Sequence, residues 1–313
     1  MLAYLGGTIA VGAARMAGQE TASTPASSLD SLINFRDSEI KFPLATLMAV
    51  LRDNRHEGWV LAAYPDPTTS RPLIGAGFSL DVPATDHPQS DPLNPHTFLE
   101  PSSAQLWQAA GLDPGKLQRI LAEYDRDLAA WQKKKFRRKI RTHRLPSQIT
   151  EAEATALLRI SATQAVHNAR AYCRDFDQLT SPQQMALSQL VYQMGLNLEQ
   201  FVHFLDLLNN NSVPNGDGSF LFVSADTTPG EHWSSVQDTL IQSKWARRYS
   251  TRAVAVIAMF DPDYAGDPAQ AERKVRATLH PAVAHSHKKR SAHSLKTAST
   301  DHKAGAGTST GKS

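Results

Sequence analysis

Two carboxylates close together in the chain have residue types and spacing suited to acid–base chemistry. Glu57 follows an apolar stretch with helical spacing, and Asp66 lies in a Pro-rich turn nine residues later. Two carboxyl groups that converge on one cleft are the minimum equipment for hydrolysing a glycosidic bond. The segment after them, residues 73–77, predicts a strand whose glycines let another chain pass close to the backbone. Together these features indicate a hydrolase cleft.

The elements around these carboxylates follow from the spacing of apolar residues. Leu44, Leu47, Met48 and Leu51 recur at intervals of three and four, which predicts a helix that leads to Glu57. Tyr64 and the run 73–80 are strand candidates around the turn. Residues 82–104 contain several prolines and predict an extended loop. From Pro146 to Met259 the pattern is almost wholly helical, apart from a break rich in Pro, Asn and Gly at 209–231.

Four segments, taken in order, resemble the T-even phage-type lysozymes. The first combines Glu57-Gly58, Tyr64 seven residues after the acid, Asp66 two residues later and Ile-Gly-x-Gly at 74–77. The other three lie at 149–158, 186–201 and 243–260, and the resemblance covers roughly 50–81 and 149–261. Alone, each segment fits an ordinary structural interpretation, such as a solvated glutamate at a helix end or a buried helix that ends at glycine. Their shared order favours the resemblance.

The resemblance implies a fold and an activity. The expected class is α+β and lysozyme-like, with a small N-terminal hairpin lobe and a larger all-helical lobe joined by a long helix. The run from Ala186 to Gly195 is similar to the family's long central helix. The implied activity is that of a peptidoglycan N-acetylmuramidase, which hydrolyses the β-1,4 bond between N-acetylmuramic acid and N-acetylglucosamine. Alternatives are a noncatalytic wall-binding protein and a chitinase or lytic transglycosylase on the same scaffold.

The resemblance also implies roles for individual residues. Glu57 would be the general acid, and Asp66 would stay ionised and activate water on an inverting course. The residues implied to bind substrate are the Gly77 backbone, Tyr192, Gln193, Lys244 and Arg252. Neither a cofactor nor a metal is expected, because two carboxylates and water complete the reaction.

The chain departs from the family pattern beside the acid. Leu73 stands where phage members have a threonine that helps to hold the catalytic water, and Thr68, Thr69 or Ser70 could supply that hydroxyl from the turn. Phe78 replaces a histidine that commonly follows the second glycine. Related toxin-like members place their second acid after this strand, which makes Asp81 a rival to Asp66.

The remaining segments predict the organisation of the chain. Residues 1–31 form an apolar leader and linker, and 32–266 form the catalytic domain with an insertion at about 82–148. A polar helix is possible up to Leu279, but 267–313 are assigned to a basic, disordered tail. The leader resembles the apolar part of a secretory signal without its positive charges, and peptidoglycan lies outside the cytoplasm. We therefore expect an exported protein, periplasmic or secreted.

Composition limits the partners. The net charge of the 313 residues is only +3, but a basic block at 133–141 could bind nucleic acid, anionic lipid or wall polymers, or form a solvated helix face. Because no pattern reads bases, we expect weak contact of this block and the tail with an anionic envelope, no specific nucleic acid, and a monomer. Cys173 is the only cysteine, which excludes an intrachain disulfide. Metal binding by Asp81, Asp86, His87 and His96 is disfavoured by their irregular spacing.

Overall fold

The computed structural model describes residues 26–53, 56–66, 68–133, 147–209, 213–214, 220–221 and 228–280. This part of the chain is mainly helical, with a small three-stranded antiparallel sheet near its N-terminal end, so the predicted α+β class is confirmed. The helices are α1 (Ala26–Ile33), α2 (Leu44–Arg52), α3 (Ser103–Ala109), α4 (Pro114–Lys133), α5 (Glu151–Tyr172), α6 (Ser181–Met194), α7 (Val202–Leu208), α8 (Pro229–Ile241), α9 (Lys244–Arg248), α10 (Ser250–Ala258) and α11 (Pro268–Leu279). The strands are β1 (Val60–Pro65), β2 (Pro72–Gly75), β3 (Phe78–Ser79), β4 (Val213–Pro214) and β5 (Phe220–Leu221).

The three-stranded sheet has the order β1-β2-β3, and every neighbouring pair is antiparallel. Tyr64 pairs with Leu73 and Ile74 pairs with Phe78, so the strands form a simple meander. The strands predicted at Tyr64 and at 73–80 are therefore present. The outer edge of β1 forms a single bridge, between Ala62 and Gln148, to the segment that leads into α5.

One hydrophobic core, the sheet core, lies between the sheet, α1, α3, α4 and the first turns of α5. Trp107, Ile120 and Tyr124 are fully buried in it. The described part of the expected insertion thus belongs to the core of the chain. Leu32 is also buried there, and α1 begins at Ala26, so packed structure starts before the boundary expected at 32.

The second core, the helical core, is formed by α2 and α5 to α11. Helix α5 contributes to both cores: Leu157 and Ile160 face the sheet core, whereas Leu158 and Ala162 face the helical core. Helix α5 begins with a capping box. The Thr150 hydroxyl accepts the N–H of Glu153, and the Glu153 carboxylate accepts the N–H of Thr150.

The long helix expected at 186–195 is α6, which has only 14 residues and ends at Met194, before Gly195 with φ +50°. The helix shared by the two cores is instead α5, with 22 residues, about 33 Å at the usual rise. Its apolar residues surround the helix, because it is packed on several sides, and a helical stripe is therefore hard to recognise in its sequence.

Helix α11 packs against α10, and Ala271 and Val275 are buried in the helical core. This helix thus belongs with the core and not with the polar tail in which 267–313 were placed. The extended loop was predicted at 82–104; residues 82–102 contain no described helix or strand, and α3 begins at Ser103. Gln89 and Asn94 fasten the loop by donating side-chain N–H groups to the carbonyl oxygen of Ala171.

Several predictions fall on residues outside the described ranges. These are residues 1–25 of the leader and linker predicted at 1–31, residues 281–313 of the tail predicted at 267–313, and the basic block after Lys133, which is the last residue of α4. Within the described ranges, no helix is both long and apolar enough to cross a bilayer.

Candidate active site

Glu57 is positioned by the turn that follows α2. The helix ends at Arg52, and the chain folds back so that the Glu57 N–H donates to the Leu51 carbonyl at 3.3 Å. Gly58 adopts φ +82° and donates its N–H to the Asp53 carbonyl at 3.1 Å. A glycine is favoured there because side chains rarely tolerate this conformation. The acid therefore lies just beyond the helix end, at the entrance to β1.

Arg252 is the ionic partner of Glu57. Its Nη1 donates to Glu57 Oε1 at 2.7 Å, and the side chains are 7% and 22% exposed, respectively. Arg252 comes from α10, which belongs to the helical core, whereas Glu57 precedes the sheet. This ion pair places the acid between the two cores. Arg252, which the resemblance implies to bind substrate, contacts the acid itself in this structure.

Burial raises the pKa of Glu57 above its usual value, although the charge and the hydrogen bond of Arg252 both act to lower it. Desolvation is the larger effect because removal of water penalises the charged carboxylate. Glu57 therefore keeps a proton at higher pH than an exposed glutamate. That property suits a general acid.

Gly77 allows the sheet to approach the acid. Its φ is +82°, and a Cβ at this position would lie 3.4 Å from Glu57 Oε2. A side chain there would be strained by the backbone and would crowd the carboxylate. The glycine predicted from the Ile-Gly-x-Gly pattern thus lies directly against the acid.

Asp66 lies where the hairpin turns between β1 and β2. Its Oδ1 accepts the backbone N–H groups of Thr68 at 2.7 Å and of Thr69 at 2.6 Å, which is an Asx-type turn. The Asp66 N–H donates to the Arg71 carbonyl at 2.8 Å across the hairpin. The Asp66 side chain therefore stabilises the turn in which Asp66 lies.

Glu57 and Asp66 line the same cleft, which has a volume of about 780 Å³. This volume is in the usual range of roughly 300–1,000 Å³ for ligand sites. The cleft lies between the sheet and the N-terminal end of α10. Its other lining residues are His56, Gly58, Trp59, Val60, Tyr64, Leu73, Gly77, Ser79, Tyr192, Gln193, Arg248, Tyr249, Ser250, Thr251 and Arg252.

Tyr192 and Gln193 reach the cleft from the end of α6. The Tyr192 hydroxyl donates to the Ala76 carbonyl at 3.0 Å, and burial raises the pKa of Tyr192. The Gln193 Oε1 accepts the indole N–H of Trp245 at 3.1 Å. These hydrogen bonds connect α6 to the sheet and to α9. Tyr192 and Gln193 therefore hold in place the cleft wall to which they belong.

Four other predicted residues lie outside the cleft. Lys244 is exposed at the start of α9 and does not line the cleft, because Trp245 and Ala246 are the residues of that helix that pack inward. Thr68, Thr69 and Ser70 are exposed in the hairpin turn and do not line the cleft either.

Asp81 also lies outside the cleft lining. It is close to the buried Tyr124, whose pKa is raised first by burial and then by the negative charges of Asp81, Asp125 and Asp66. Of the two rival second acids, Asp66 is thus the one that shares a cleft with Glu57.

Several cleft residues were not predicted. Arg248 and Tyr249 are both exposed in the cleft wall, and the Arg248 guanidinium lies 5.4 Å from the Tyr249 ring centroid. Trp59 forms another wall, with its indole N–H donating to Glu151 at 2.8 Å. The sequence offered only short patterns that could have indicated these residues. They are an aromatic residue two positions after the acid, and an Arg-Arg-Tyr run shortly before Arg252.

In the described ranges, no group of three or more His, Cys, Asp or Glu side chains has an arrangement that could hold a metal ion. His87, one of the four residues considered for a metal, is instead stacked on Phe98 with 3.7 Å between the ring centroids. It also forms a hydrogen bond of 2.7 Å with Glu199.

Comparison with known proteins adds no assignment: the chain matches no protein-family model, and no curated protein is significantly similar to it.

Proposed function

We propose that this protein is a peptidoglycan N-acetylmuramidase with a lysozyme-like fold. The observation that carries the proposal is the environment of Glu57, a largely buried carboxyl group with a raised pKa in the same cleft as Asp66. A cleft with one carboxyl group that retains its proton and a second one in a polar turn provides the acid and the base of a glycosidase. The resemblance of four segments to T-even phage-type lysozymes supports the same reaction.

The proposed reaction needs only the two carboxyl groups and water. Glu57 donates its proton to the glycosidic oxygen as the bond from this oxygen to the sugar C1 breaks. Asp66 accepts a proton from the water whose oxygen forms the new bond to C1, and the resemblance implies inversion at this carbon. Arg252 stabilises the Glu57 carboxylate after the proton has left. The other carboxylate oxygen of Asp66, Oδ2, is the group that would orient the water, since Oδ1 holds the turn.

The proposed fold divides at the cleft. The sheet with its covering helices would be the smaller lobe, α6 to α11 would form most of the larger helical lobe, and α5 would join them. The participation of α5 in both cores supports this division.

One observation favours the noncatalytic alternative. Leu73 occupies the position of the family's threonine, and this apolar side chain lines the cleft. The described residues that line the cleft and carry hydroxyl groups are Tyr64, Ser79, Tyr192, Tyr249, Ser250 and Thr251. In a hydrolase, one of these would have to replace the threonine in holding the water.

Digestion of purified peptidoglycan sacculi separates the candidates. Hydrolysis releases fragments with reducing ends, a lytic transglycosylase releases anhydromuramic ends, and a noncatalytic protein binds without release. Activity on chitin oligomers but not on sacculi would identify a chitinase. We expect reducing muramic acid ends, which mass spectrometry of the products identifies.

Glu57→Gln tests the acid directly. Because a positioned acid typically contributes about 10²- to 10⁴-fold, we expect a loss of that size with little change in fold. Glu272→Gln is the matched control, since it makes the same chemical change on the surface of α11. Digestion by Glu57→Gln within about twofold of the parent rate would exclude Glu57 as the acid.

Location and partners follow from the proposed substrate. The protein would act outside the cytoplasm, as an exported muramidase that works as a monomer on glycan strands. The basic block and the tail, which would add weak attraction to an anionic envelope, lie outside the described residues.

A further inference from the structure

A second, smaller cavity adjoins the cleft, and we refer to it as the annex. Its volume is about 200 Å³, and Gly77, Ser79 and Tyr192 line both the annex and the cleft. The other annex walls come from the segment 82–106, which follows the sheet, and from α5. A ligand in the cleft could therefore extend a group past Gly77 and Ser79 into the annex.

Glu100 is the only charged side chain among the described residues that line the annex. Two neutral amides of α5 hold its carboxylate: Asn168 Nδ2 donates to Oε1 at 2.8 Å, and Gln164 Nε2 donates to Oε2 at 3.4 Å. A carboxylate can accept about four hydrogen bonds, so these two donors leave capacity for a ligand.

The same amides fix the backbone beside Glu100. The Asn168 Oδ1 accepts the Leu99 N–H at 2.9 Å, and Gln164 Nε2 donates to the Leu99 carbonyl at 2.9 Å. The carboxylate is thus held in place before any ligand arrives, which lowers the entropic cost of binding.

None of the described residues that line the annex supplies a cation for this carboxylate. The pKa of Glu100 is raised by burial, and the charge of His87 lowers it by a smaller amount. His87 does not line the annex and is hydrogen-bonded to Glu199. A cationic group entering the annex would compensate for the desolvation of the Glu100 carboxylate.

We infer that the annex binds a primary ammonium group carried by the substrate, with Glu100 as its counter-ion. The inference rests on the proposed function, because peptidoglycan is a polymer that carries such groups beside the glycan. The annex is below the roughly 300 Å³ of typical ligand sites, so it suits a side group better than a whole sugar ring.

Two chemical sources could provide the ammonium group. One is the free side-chain amine of the diamino acid in the stem peptide, and the other is a glucosamine that has lost its N-acetyl group. Both present the same cation to Glu100, and matched pairs of probes distinguish them.

The test measures binding to two pairs of probes by calorimetry. The first pair is a disaccharide-peptide with a free diamino acid side chain and the same compound with that amine acetylated. The second is the glucosamine tetramer and the N-acetylglucosamine tetramer. The full-length chain carries Glu57→Gln in every arm, so that no probe is consumed.

A charge-assisted hydrogen bond contributes enough for roughly tenfold tighter binding of the free amine in a partly solvated site. We expect this preference in at least one pair, and the pair that shows it identifies the source. Adding Glu100→Gln should abolish the preference, whereas adding Glu272→Gln should leave it unchanged. Equal affinities within both pairs, or a preference that survives Glu100→Gln, would overturn the inference.

The design separates the two proposals. The probe pairs test the annex in a chain that retains Glu100, so the outcome does not depend on the folding of Glu100→Gln. Sacculus digestion by the parent chain tests the hydrolase. A chain that shows the amine preference but releases no fragments would refute the hydrolase and retain the ammonium site, and the reverse result would refute only the site.

Discussion

Replacement of Arg252 by methionine removes the counter-ion of Glu57 and keeps a long apolar side chain in the helical core. In the parent chain, Arg252 acts to lower the pKa of Glu57, against the larger effect of burial. Without the guanidinium, the folded-state pKa of Glu57 must rise further. The variant therefore leaves a buried carboxyl group that is costly to ionise.

The expected cost follows from the burial of the pair. Loss of one partner of a buried ion pair costs about 3–5 kcal/mol, and the lower end applies because Glu57 is 22% exposed. About 3 kcal/mol corresponds to a loss of roughly 6–12 °C in Tm for a domain of this size. We expect this loss at pH 8, where a proton on Glu57 is hardest to retain.

The loss should decrease as the pH falls. A glutamate in an unfolded chain has a pKa of about 4.3, and that of Glu57 in the folded variant lies above it. Between these two values the folded state binds more protons, so stability falls as the pH rises, by up to about 1.4 kcal/mol per pH unit. Relative to the parent, whose own Glu57 pKa is already raised, the penalty is absent below the folded-state pKa of the parent and reaches its full size above that of the variant.

Thermal unfolding at pH 5 and pH 8 checks this prediction. The parent, Arg252→Met, Glu57→Gln and the double variant form a complete cycle. The double variant should recover most of the stability lost by Arg252→Met at pH 8, because no buried charge remains. An equal loss of Tm at both pH values, without recovery in the double variant, would refute the assigned ion pair.

Three further predictions concern the cleft. Asp66→Asn should retain the Asx turn through its amide oxygen and lower the rate of sacculus hydrolysis by at least about 100-fold, whereas Asp81→Asn should have little effect. The opposite order of rate losses would support the toxin-like arrangement. Gly77→Ala and its control Gly111→Ala both place alanine at a positive φ. Each substitution should lower the free energy of unfolding by about 1–2 kcal/mol, measured by thermal unfolding. Only Gly77→Ala should also slow hydrolysis, and equal rates in the two variants would argue against crowding of the acid. Because the pKa of Glu57 is raised, the alkaline decline of kcat/KM should begin at higher pH than an ordinary glutamate allows, and a pH–rate profile that is flat through the acidic and neutral range would contradict this role.

Local patterns predicted the hairpin side of the site. Glu57, Asp66 and Gly77 all lie within 21 residues of sequence, and the turn and strand signals between them depend on short-range geometry. The same reasoning found α2, whose stripe of apolar residues faces one core. It could not predict that Arg252 would pair with Glu57, because those residues are 195 positions apart and only the packing of α10 brings them together.

The contribution to the core of elements with few large apolar residues was underestimated. Helix α11 contacts the helical core through Ala271 and Val275, and polar residues dominate the rest of its sequence. Lys244 was placed in the cleft by analogy of position, but a residue adjacent to a buried tryptophan on a helix points about 100° away from it. Arg248 and Tyr249 line the cleft at that end instead.

The order in which the cleft residues occur along the chain has a consequence for biosynthesis. The hairpin wall is made of residues 56–79, the next wall comes from 192–193, and the opposite wall comes from 248–252. A ribosome that has released the whole sheet must still add more than half of the described chain before Arg252 emerges. Until then, Glu57 lacks Arg252 and the cleft lacks the wall formed by 248–252. A chain truncated before α10 would therefore possess both carboxylates and still lack the assembled site.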